Sequence, residues 1–209
     1  HSTSSAASDV YKRQPSNSLR NFKERFNENP SDSNKYGLAL AYQKNNQYKE
    51  SIALIENLIS LYPKNLVLNN TKIDILLDYG EYENALNLAN EFLEISPRNY
   101  PLSISKSKIL LAMKKYFESE EIIRDQLLRK NSNPELWLLL SEIQRSSKNI
   151  IGYHQSRAEY FLLLGQNERA VNQLEFALKL VQNNFQVADR IMTKICLLYT
   201  SDAADDVEC

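Results

Sequence analysis

Tyr48, Tyr82 and Tyr116 stand 34 residues apart, and each is followed three residues later by a small side chain, Ser51, Ala85 and Ser119. Pro63 and Pro97 close the first two copies fifteen residues after their tyrosines, and Gly80 marks the turn just before Tyr82. A period of this length holds one pair of helices. The small residues let the two helices approach closely, while Tyr and Leu fill the space between pairs. A single pair cannot bury its apolar face alone, so several copies must stack. The expected fold class is all-α, a solenoid of four to five antiparallel helix pairs.

The chain bears this out in order. Leu19, Phe22 and Phe26 recur at helical spacing and predict a short amphipathic helix within residues 15–30, stopped near Pro30. Ser31, Asp32 and Ser33 offer capping groups for the helix that carries Leu38, Ala39, Ala41 and Tyr42. Its partner begins at Tyr48 and is expected to bury Ile52, Ile55, Leu58 and Ile59, with Pro63 ending the pair. A second pair spans Leu66 to Tyr79 and Tyr82 to Ile95. In the third, from about Leu102 to Leu128, Lys114 replaces the turn Gly and Asn131 the terminal Pro. A fourth starts at Asn133-Pro134, and Gly165 leads into a helix bearing Leu174 and Ala177. Val187, Ile191 and Ile195 give the last stretch an apolar stripe suited to capping the stack, so the repeat region covers 31–195. Tyr48, Tyr82, Tyr116, Trp137 and Phe161 are expected in the core. The period and its punctuation resemble the tetratricopeptide repeat.

Both ends look foreign to this pattern. One DNA sequence, read on opposite strands in two frames, encodes Asp9-Val10-Tyr11-Lys12-Arg13-Gln14 near the start and Cys196-Leu197-Leu198-Tyr199-Thr200-Ser201 near the end. It resembles a transposase-type sequencing adapter, so residues 1–14 and 196–209 are set outside the expected fold. Both cysteines, Cys196 and Cys209, fall in the second end, which leaves neither a disulfide nor a thiolate metal site to argue from.

Charge is nearly balanced, 25 Lys and Arg against 26 Asp and Glu. That argues against nucleic acid as the partner, and no apolar run approaches the roughly 18 residues of a membrane span, so no direct membrane insertion is expected. The sequence holds no HExxH, no CxxC pair, no GxSxG, no P-loop and no GxGxxG. Outside the two ends His154 is the only histidine. No catalytic, cofactor-binding or metal-ligating residue is expected here, and the segment reads as a non-enzyme.

What remains is a surface. The first helices of stacked pairs line an inner face, and positions that do not pack against neighbours are free to meet a partner. Counting pair starts from Asp32, Leu66, Tyr100 and Pro134, these positions are Tyr36, Gln43, Asn70, Asp74, Lys108, Glu142 and Arg145. Amide and charged side chains suit clamping an extended backbone.

The run Lys35-Tyr36-Gly37-Leu38-Ala39-Leu40-Ala41, the Asn133-Pro134-Glu135-Leu136 start, and above all His154-Gln155-Ser156-Arg157-Ala158-Glu159-Tyr160 through Gly165-Gln166-Asn167-Glu168-Arg169-Ala170-Val171 carry a closer likeness. Over about residues 20–192 the chain resembles the C-terminal repeat domain of the periplasmic zinc metallopeptidases related to the beta-barrel assembly-enhancing protease, BepA or YfgC. The resemblance implies a parent chain with an N-terminal HExxH zinc domain absent from this segment, and a periplasmic location. It implies protein partners, the outer-membrane barrel assembly machinery and unfolded barrel substrates. No zinc or catalytic residue transfers to this segment. The competing expectation is a free-standing repeat scaffold or adaptor with no protease domain.

Overall fold

The computed structural model describes residues 18–181 and 184–205, with side chains described as far as 200. Eleven α-helices and no strand occur among the described residues. After α1 (18–28) come α2 (Asp32–Lys44), α3 (Tyr48–Leu61), α4 (Leu66–Tyr79), α5 (Tyr82–Ile95), α6 (Tyr100–Ala112), α7 (Tyr116–Leu127), α8 (Pro134–Ser146), α9 (Ile150–Leu163), α10 (Asn167–Leu180) and α11 (Phe185–Asp205). The chain forms two compact units, His1–Ile109 and Leu110–Cys209.

Local chemistry sets the helix starts. A side-chain oxygen caps α2, α4, α6 and α8 from the residue just before each helix: Ser31 accepts from the Asn34 N–H, Asn65 from Val67 and Leu68, Asn99 from Leu102 and Asn133 from Glu135. These caps recur every 34 residues. Each satisfies backbone donors that the first turn of a helix leaves without partners. The third pair therefore keeps its frame although Asn131 stands where a proline was expected, because Asn133 supplies the next cap.

The turns inside the pairs share a second device. Asn46, Gly80, Lys114 and Lys148 all adopt left-handed backbone, at φ 58°, 90°, 62° and 63°. The last such turn, Gly165 at φ 68°, comes half a period after Lys148. Lys114 thus takes the glycine conformation without being glycine.

In the first unit Ala39, Ile55, Leu58, Leu68 and Ile75 form a buried cluster, with Tyr48, Ile52 and Ile59 packed on its margin. Ser51, Ala85 and Ser119 are fully buried, as expected of close-approach positions. The aromatic expectations divide. Phe161 is core, Tyr48, Tyr116 and Trp137 are half-buried, and Tyr82 is 37% exposed. Tyr82 begins α5 as Tyr48 begins α3, but Tyr48 is covered because its ring lies 5.4 Å from that of Tyr79 and packs on the first unit's cluster.

In the second unit Ala158, Phe161, Ala170, Leu174, Ala177 and Ile191 form a cluster that Val187, Ile195 and Leu198 border. Helix α11 does not stop at Ile195, where the repeat region was expected to close. It runs to Asp205, because residues 196–205 contain no Gly or Pro and Leu198 prolongs the stripe of Val187, Ile191 and Ile195. The other end, residues 1–14, lies outside the described residues.

Candidate partner-binding face

The first helices of the pairs in the first unit are α2, α4 and α6. Position five of one meets position six of the next. The Tyr36 hydroxyl lies 3.0 Å from Thr71 Oγ1, and 34 residues on, Ser105 Oγ lies 3.3 Å from Asn70 Oδ1. Farther along, Gln43 Nε2 donates to Asp78 Oδ2 at 2.7 Å. These contacts join successive first helices by polar side chains rather than by apolar packing alone.

The ladder centres on Asp74. Its Oδ1 accepts a 2.6 Å hydrogen bond from Ser105, and its Oδ2 accepts from Asn70 Nδ2 at 3.1 Å. Burial pushes the Asp74 carboxyl above its ordinary range, while the Ser105 bond and the Lys108 charge pull it down and Asp78 pushes it up again. A carboxylate satisfied by neutral donors, with one ammonium near and one carboxylate repelling it, is poised to accept from a partner's N–H or cation.

Of the seven side chains expected on a binding face, the structure brings together Asn70, Asp74 and Lys108. Tyr36 and Gln43 lie on the same ladder, both already engaged with α4. Glu142 and Arg145 are exposed on α8, in the second unit. Ser105, Thr71 and Asp78 also belong to the ladder and were missed by the count along first helices. The signal was present for two of them, since Thr71 and Ser105 are hydroxyls 34 residues apart. Among the described residues no group of His, Cys, Asp and Glu has the arrangement of a metal site. No helix among the described residues is long and apolar enough to cross a membrane.

The comparisons agree with this architecture. The tetratricopeptide repeat family profile matches residues 76–143. The chain resembles the structure from a study of pilF of Pseudomonas aeruginosa with a TM-score of 0.59 at 16% identity, covering 94% of this chain and 92% of that one. It resembles a thermophilic tetratricopeptide repeat protein of Thermus thermophilus at 0.51 and 17%, covering 91% and 95%. A MamA fragment from Desulfovibrio magneticus gives 0.53 and 13%, covering 78% and 92%. No curated protein matches the chain. The fold is therefore all-α and resembles that of tetratricopeptide repeat solenoid proteins.

Proposed function

We propose that this chain is a protein-recognition segment whose first-helix face clamps an extended stretch of a partner polypeptide. The observation that carries it is the Asn70, Asp74, Ser105 and Lys108 cluster, in which polar groups of α4 and α6 gather around one partly buried carboxylate. The Asn70 amide can exchange hydrogen bonds with a peptide backbone, while the buried Ser105 hydroxyl holds Asp74 in place. Asp74 can accept from that backbone, and Lys108 supplies a cation at the rim. Glu142 and Arg145 are assigned the same role on α8. The segment itself performs no reaction and holds no cofactor in this reading.

The partner class follows from the resemblance to the repeat domain of BepA-like periplasmic proteases. The blocks His154 to Tyr160 and Gly165 to Val171 support a parent zinc protease with an HExxH domain, in the periplasm, acting on outer-membrane barrel assembly. Reading the gene beyond the segment tests that parentage directly, and more repeats in place of an HExxH domain would overturn it. The same reading tests the adapter origin of 1–14 and 196–209, which the opposite-strand coding relation supports.

The clamp is tested by diluting a urea-unfolded outer-membrane barrel protein onto immobilised chain. Retention is expected, and Asn70→Ala combined with Lys108→Ala should weaken it about tenfold, the effect of losing roughly 1.4 kcal/mol of contacts. Undiminished retention by the double variant overturns the assignment of this face.

A further inference from the structure

The second unit contains a cavity of about 240 Å³ that the ladder of the first unit does not include. We propose that it receives a glutamate side chain from a partner polypeptide, as an anchor in addition to the clamp. The proposal rests on the protein-binding reading above but uses different residues.

Three cations line the cavity, Arg124 from α7 and Arg190 and Lys194 from α11. Two carboxylates answer them. Glu120 Oε1 accepts from Arg124 Nε at 2.9 Å and Nη2 at 2.6 Å, and Glu159 pairs with Lys194. Arg190 remains, with no hydrogen-bond or ion-pair partner among the described residues, and the same holds for the side chain of Gln155 on the lining. One guanidinium and one amide are thus uncommitted at a site with one positive charge in excess. That combination accepts a carboxylate, which a guanidinium can bind through two parallel bonds.

The rest of the lining suits a side chain with an apolar stem. Leu140, Leu174 and Ile191 supply an apolar wall next to the cations, and the half-buried Trp137 ring stands beside them. A carboxylate two methylenes removed from its backbone places its stem against that wall while its head reaches Arg190. Arg190, Ile191 and Lys194 precede Cys196, so no residue of the lining comes from the chain's last residues.

The chain carries its own reporter, because Trp137 is the single tryptophan in 209 residues. Its fluorescence is followed while the peptide acetyl-Ala-Leu-Glu-Leu-Ala-amide is added to the full chain. A saturable change is expected at roughly millimolar peptide or below, at least about tenfold tighter than for the same peptide with Gln in place of Glu. Arg190→Gln, an exposed change on α11 that leaves the core intact, should remove that preference, and raising salt should weaken binding. Equal responses to the Glu and Gln peptides overturn the proposal. So does saturation only by the Gln peptide with a free terminal carboxylate, which would assign the cavity to chain ends. Asn70→Ala and Lys108→Ala should leave the Trp137 response unchanged, so failure of the clamp and failure of this anchor are told apart.

Discussion

Lys114 occupies the left-handed turn that Gly80 occupies one repeat earlier, at φ 62° against 90°. A side chain in that conformation brings its Cβ close to the following carbonyl, a strain of about 1–2 kcal/mol that glycine does not carry. Lys114→Gly should therefore raise stability by about 0.5–1 kcal/mol, the strain relief being partly offset by glycine's greater freedom in the unfolded chain. Gly80→Ala should lower it by about 1 kcal/mol, although an added Cβ would meet no atom within 4 Å. Urea denaturation of both variants checks the pair, and opposite signs are the required result.

Ser51 donates a 2.7 Å hydrogen bond to the Ala39 carbonyl, with both residues fully buried where α3 crosses α2. Ser51→Ala removes only that bond and should cost about 1 kcal/mol. Ser51→Leu must force the helices apart and should cost about 3 kcal/mol. Thermal melts that ranked the two equally would show that the crossing is not closely packed.

Asp74 makes stability depend on pH in a defined direction. Burial, the largest influence, raises its folded-state pKa above that of the unfolded chain, so the native state holds a proton more readily. The stabilising contribution is complete below the unfolded value, disappears as pH rises through the folded value, and does not return at neutral pH. Asp74→Asn keeps an acceptor for Ser105 and removes the titration. Its stability relative to the natural chain should increase between the unfolded carboxylate range and pH 7, and a difference independent of pH would contradict the burial argument.

Leu198 borders the cluster around Ile191, so the end of α11 contributes to the fold whatever its origin. Ending the chain after Ile195 should cost about 1 kcal/mol, the value of one half-buried aliphatic side chain. Ending it before Phe185 also removes the buried Ile191 and should cost about 3 kcal/mol or more. An unchanged melting temperature for the shorter cut would show that the helix does not need residues 196–205.

The sequence by itself determined the pairs and their frame, because punctuation is local chemistry. Ser31, Asn65, Asn99 and Asn133 cap whatever helix follows them, and the apolar spacing within each segment requires no distant partner to be read. The seven surface positions were legible as positions. Which of them meet was not, since Asn70, Asp74 and Lys108 converge only when α6 lies against α4 at the offset that brings Ser105 onto both Asn70 and Asp74. The tertiary structure also decided the course of α11, where a segment unlike the repeats continues as helix because Leu198 finds the border of an existing core. The cavity beneath Arg190 and Lys194 was decided in the same way. Its cations come from α7 and α11, more than 60 residues apart in sequence, and only packing gathers like charges that their mutual repulsion would otherwise keep apart.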